Sequence, residues 1–205
     1  MTPAPLSVYQ RVLGPSFDAL SPELKAYFSL PPDDMVGLGS GTYDEAGSRL
    51  RWLKPLFAFL GWRHILFPEY ARDVPFEVIN IPGPGEGLSA RRDFTFTAAD
   101  GTETTRTVED TMHVIDGRLH DFLGRRRGLE VRFALTVADG GLTMVSDRTW
   151  VHVKGLRIPV PPILSARVTV KERWDGDAQR VDVGMRHPVL GEIFVYGGRF
   201  TYRYA

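Results

Sequence analysis

The spacing of hydrophobic residues along the chain changes near residue 75. From there apolar and polar positions alternate over 75–81, 88–97, 104–115, 128–137, 142–153, 165–174, 179–187 and 192–204. A period of two is the pattern of strands with one buried face. The segments are separated by Gly83-Pro84-Gly85, Asp100-Gly101, Asp116-Gly117, Asp139-Gly140-Gly141 and Asp175-Gly176. Asx-Gly pairs supply the positive φ that tight hairpins need. No helical period intervenes, so the pattern predicts antiparallel pairing rather than βαβ units.

The first third reads differently. Ser7 to Leu13 is a short helix stopped by Gly14-Pro15, and Ser21 caps a second helix with Pro22 at its first position. Residues 35–43 are extended, and Gly37-Leu38-Gly39-Ser40-Gly41 reads as a strand under close backbone approach. It has neither the GxGxxG spacing nor the lysine of a phosphate loop. Residues 48–62 form the strongest helix, with Leu50, Leu53, Phe57 and Leu60 on one stripe and Trp52, Leu56 and Phe59 widening it. So wide an apolar surface predicts burial on two sides, or a lid over a cavity, or an element that touches a membrane.

A single domain over 1–205 is expected, with a helical cap and first strand in 1–70 and an antiparallel sheet in 75–204. The fold class is mainly β (α+β): a large curled sheet or incomplete β-barrel of about eight or nine strands, with helices packed in or over it.

Lys+Arg and Asp+Glu each count 25, which removes the basic excess expected of a nucleic-acid binder or a polybasic membrane anchor. No stretch is long and apolar enough for stable membrane insertion. There is no cysteine, which excludes disulfides, thiolate nucleophiles and Cys-ligated zinc. Met1 to Ser7 lacks the features of a signal peptide, so a cytoplasmic protein is expected. The five histidines show no metal-binding spacing, and neither a metal nor a cofactor is expected. No GxSxG elbow is present.

Candidate chemistry comes from polar residues on otherwise apolar faces. In 142–153 one face reads Leu142, Met144, Ser146, Arg148, Trp150 and His152. Glu172 aligns with Val168, Val170 and Trp174, and His187 with Val181, Val183 and Met185. Tyr196 follows Phe194, and Arg92 alternates with Phe94 and Phe96. Turned inward, Arg92, Arg148, Trp150, His152, Glu172, His187 and Tyr196 would make an apolar cavity with a few convergent polar groups, the usual composition of a small-molecule site. A buried Glu172 needs protonation or a partner, and Arg148 is the simplest partner. A structural ion pair with histidines at strand ends explains the same pattern without any ligand.

Three blocks carry a resemblance. They are Tyr9 to Leu20; Ile158-Pro159-Val160-Pro161 with Val168 to Glu172; and Val181-Asp182-Val183, His187 to Gly191 and Tyr196-Gly197-Gly198. In this order they resemble the bacterial domain-of-unknown-function family 4166. That family occurs as lone proteins and as a C-terminal domain behind saccharopine-dehydrogenase-like modules. The resemblance implies no activity and no catalytic residues.

The leading expectation is a module that binds an apolar or amphipathic, lipid-like small molecule. Beside it stand a small-molecule enzyme (isomerase, cyclase or hydrolase) with Glu172 or His187 as general acid/base, and an interaction domain for a separate saccharopine-dehydrogenase-like partner.

Overall fold

A computed structural model describes residues 5–32, 35–83 and 87–205; Pro84-Gly85 of the expected turn and Met1 to Ala4 lie outside them. The chain begins with helix α1 (Val8–Leu13), a 3-10 turn (Gly14–Ala19) and α2 (Pro22–Phe28). Strand β1 (Gly37–Gly47) leads through a 3-10 turn (Arg51–Leu53) into α3 (Lys54–Trp62). Then follow β2 (Tyr70–Gly83), β3 (Gly87–Thr97), β4 (Glu103–Ile115), β5 (Arg118–Leu123) and β6 (Leu129–Ala138). The chain ends with β7 (Gly141–Val153), β8 (Leu156–Pro159), a 3-10 turn (Pro162–Leu164), β9 (Arg167–Asp175), β10 (Ala178–His187) and β11 (Gly191–Tyr204).

The strands are antiparallel in the order β6-β5-β4-β3-β2-β1-β11-β10-β9-β7-β8, and β6 also pairs with β7. Ten strands therefore close into a barrel, with β8 outside the ring on an edge of β7. The fold class is the one the alternation predicts, but the ring is complete. Two strands had escaped the pattern. β5 is only six residues long, and β8 is four exposed residues with no alternation. Closure removes the unpaired edges an open sheet would expose.

One end is plugged by the N-terminal helices. Ser7 makes a capping box with Gln10, and its hydroxyl donates to the Phe28 carbonyl at 2.6 Å, tying α1 to α2. Ser21 caps α2 through the Leu24 N–H, with Pro22 next to it as expected. Val8, Leu13, Leu24 and Phe28 then pack with Leu119, Val131 and Leu142.

The other end carries the β1–β2 connection with α3, the loops after β3, β5 and β10, and the β7–β9 connection. Here α3, shorter than the expected 48–62, is not buried on two sides. Leu53 and Phe57 are buried and Leu50 and Leu60 pack against the core, while Trp52, Leu56, Phe59 and Trp62 face outward. The apolar surface of this helix is two stripes, and the barrel uses only one.

The glycines of β1 serve close approach, as predicted. A Cβ on Gly39 would lie 2.6 Å from Val78 Cγ1, and one on Gly41 would lie 2.2 Å from the Arg199 carbonyl oxygen. On the inner face next to them, Tyr43 stacks on Phe76 with ring centroids 4.2 Å apart.

A candidate ligand site inside the barrel

The barrel encloses a cavity of about 360 Å³ that runs from the helix-plugged end to the α3 end. Its wall is mainly aliphatic and aromatic, with Phe76, Val108, Phe133, Val181, Val183 and Phe200 among the lining residues. Leu56 and Leu164 line it too and are exposed, so the mouth lies at the α3 end.

The wall has a seam next to that mouth. One edge of β7 pairs with β9 over Leu142 to Val145 and with β8 over Trp150 to Val153. Between these ladders, the Val168 N–H donates to Ser146 Oγ at 2.7 Å and the Ser165 hydroxyl to Thr149 Oγ1 at 2.9 Å. These side-chain bonds close the wall there together with one backbone bond, from the Val160 N–H to the Thr149 carbonyl at 2.9 Å.

One arginine and three carboxyls, from the adjacent strands β3, β4 and β5 and from β9 in another sector of the wall, enter the cavity. Arg92 on β3 forms a close ion pair with Asp110 on β4, and Asp121 on β5 stands near them. Glu172 on β9 accepts a short hydrogen bond from the Gln179 side chain on β10. Tyr196 on β11 and Tyr9 and Tyr27 from the helices also line the space; the Tyr9 hydroxyl donates to Met112 Sδ at 3.3 Å. Asp110 Oδ1 and Asp121 Oδ1 are buried without a hydrogen-bond partner among the described residues.

Burial sets the protonation of these acids. It raises the Glu172 carboxyl to about 7 against the opposing hydrogen bond from Gln179 and the charge of Arg92. Asp110 is raised by burial and pulled back by Arg92. Asp121 is raised well above the usual range, by burial first and then by the negative charge of Asp110. The interior therefore holds one ion pair and two further carboxyls, Glu172 and Asp121, whose neutral form burial favours. Neutral carboxyls donate as well as accept hydrogen bonds.

Of the residues singled out from the sequence, Arg92, Glu172 and Tyr196 meet in this cavity. Arg148, Trp150 and His152 do not, because β7 carries a bulge: Arg132 pairs with Arg148 but Phe133 pairs with Ser146. Asp147 is the extra residue, and it reverses the faces beyond it. Thr149 and Val151 line the cavity instead. Arg148 is exposed on the outside, so it is not the partner of Glu172.

Trp150 and His152 join an outer-face cluster around Glu130, which is 1% exposed. Glu130 contacts His120 Nδ1 at 2.6 Å and His152 Nε2 at 2.7 Å, and Arg157 binds it through two nitrogens at 2.9 and 2.6 Å. The Arg157 guanidinium lies 3.9 Å from the Trp150 ring centroid. Burial opposes the Glu130 charge, but the hydrogen bonds from Arg157, His152 and His120 hold its carboxyl at about 2. His187 sits at the rim, where Nδ1 accepts from the N–H groups of Val189 and Leu190 and steadies the β10–β11 turn.

Asp110 and Asp121 were missed. Asp110 lies between Val108 and Met112 at two-residue spacing, the same signal that picks out Glu172. Asp121 lies between Leu119 and Leu123, in the strand the pattern passed over. No cluster of three or more His, Asp or Glu able to hold a metal ion occurs among the described residues.

The chain is 24% identical over 204 residues to the uncharacterized protein YndH of Bacillus subtilis (strain 168), covering 95% of this chain and 96% of that protein. No solved structure matches it. Residues 20–200, which include the second and third sequence blocks, match the family described as Domain of unknown function (DUF4166), and the chain belongs to that family.

Proposed function

We propose that the barrel binds an amphipathic small molecule, its apolar body along the wall and its polar end against Arg92, Asp110, Asp121 and Glu172. The observation that carries this reading is an apolar cavity of ligand size with buried carboxyl oxygens inside it that have no partner among the described residues. A buried acceptor left unpaired costs about 1–3 kcal/mol, and a ligand hydroxyl or amine that donates to it recovers that cost. The cytoplasm is the compartment this reading assumes.

Native mass spectrometry of the purified protein, followed by organic extraction, tests it. A bound molecule of lipid-like mass is expected, and Val183→Trp, which fills the cavity from β10, should abolish its retention while the thermal melt persists. If nothing co-purifies and a dye such as ANS finds no saturable site, the reading fails.

A second reading is favoured by one observation, the Glu172 carboxyl poised at about 7 inside the cavity. A group with that pKa suits general acid/base chemistry on the same ligand. Glu172→Gln separates the two readings: binding without turnover supports an enzyme, and unchanged turnover of any substrate found removes Glu172 from that role.

A further inference from the structure

The residues at the mouth are of the wrong kind for a surface bathed only in water. Trp52, in the 3-10 turn before α3, and Trp62, at the end of α3, are 62% and 66% exposed, and Leu56 and Phe59 on the helix between them are exposed too. Across the mouth, the 3-10 turn presents Ile163 and Leu164, the latter 68% exposed. The β10–β11 turn adds Val189 at 69%. Exposed apolar residues scattered singly need no explanation, but these gather at one end of the barrel.

The charge of that end is as uneven. Segments 48–69, 98–102, 124–128, 154–166 and 188–190 carry nine lysines and arginines against two carboxylates, a surplus of seven in a chain whose total is zero. The balanced composition hides this segregation. A surface hollow next to α3 brings Phe59 and Arg63 together with Arg126, Arg127 and Lys154, so cations border the apolar face directly. Among the described residues no helix is long and apolar enough to cross a membrane, so any contact with lipid made by helices is from outside.

We propose that the α3 end of the barrel docks on an anionic phospholipid bilayer. Trp52, Leu56, Phe59 and Trp62 enter the interfacial region, where indole rings with an apolar body and one polar N–H are at home. Arg126, Arg127, Arg63 and Lys154 face the lipid phosphates. The mouth opens through the same face, which places the cavity in line with the acyl chains. The proposal stands independently of what fills the cavity.

Flotation of the intact chain with phosphatidylcholine vesicles, with and without phosphatidylglycerol, tests it. Binding is expected on the mixed vesicles, weakening as salt rises, with little on phosphatidylcholine alone. Each cation removed should weaken binding about fivefold, so Arg126→Gln with Arg127→Gln should weaken it roughly 25-fold. Trp52→Ser with Trp62→Ser should also release the protein, and both variants alter exposed side chains, so their melts should match wild type. Should a variant fail to fold, the dependence of the unaltered chain on lipid charge and salt still decides. Equal binding to both vesicle types, or none to either, overturns the proposal. A stable dimer in sedimentation that protects Trp52 and Trp62 from quenching assigns this face to a second copy and overturns it too.

Discussion

Glu172 faces an interior with one arginine, already paired to Asp110, and is hydrogen-bonded to a neutral amide. Its carboxyl stands at about 7 in the folded chain, against 4.5 as the ordinary value. Between those values the folded protein holds more protons than the unfolded chain, so this group's contribution to stability is full below about pH 4.5, falls as pH rises and levels off above 7. The whole effect is about 3 kcal/mol. Glu172→Gln should flatten urea-derived stability across that window and leave the variant the more stable protein at pH 8. An unchanged slope would assign the effect to Asp121 or Asp110. The sequence made Glu172 visible because period-two spacing marks any polar residue among Val168, Val170 and their partners. It could not show what Glu172 meets, because the arginine in the same interior comes from β3, on another sector of the ring.

At the scale of elements, one inserted residue decides which side chains enter the barrel. Without the bulge at Asp147, the face beginning Leu142, Met144, Ser146 would continue inward through Arg148, Trp150 and His152, as simple alternation predicts. Deleting Asp147 should force that arrangement, or break the β6–β7 ladder, and bury an unpaired cation at a cost of several kcal/mol. We expect the deletion to lower the denaturant midpoint sharply or abolish soluble expression. Arg148→Met, by contrast, alters an exposed group and should stay within about 0.5 kcal/mol of wild type. In the sequence the bulge shows only as a strand whose two faces are both mixed, with Leu142 and Met144 on one and Val151 and Val153 on the other, and α3 is illegible for a different reason. Both of its stripes are apolar, so its period announces a helix without saying which stripe turns inward.

At the scale of the whole molecule, the eight alternating segments are all strands of the barrel. What alternation could not disclose is that β1, glycine-rich and separated from the rest by α3, bridges β2 and β11 to complete the ring. Apart from β7 beside β9 and β1 beside β11, every neighbouring pair in the ring is consecutive along the chain; β1 and β11 meet with Gly37 opposite Tyr204. Closing that junction means ordering nearly the whole polypeptide, an entropic cost met only once the rest of the sheet exists. We therefore expect the junction, fully paired once formed, to be made late in folding. Gly41→Ala, whose new methyl meets the backbone of Arg199 and Phe200, should cost about 1–3 kcal/mol. In stopped-flow experiments that loss should appear as faster unfolding with an almost unchanged refolding rate, because the transition state is crossed before the first strand finds the last.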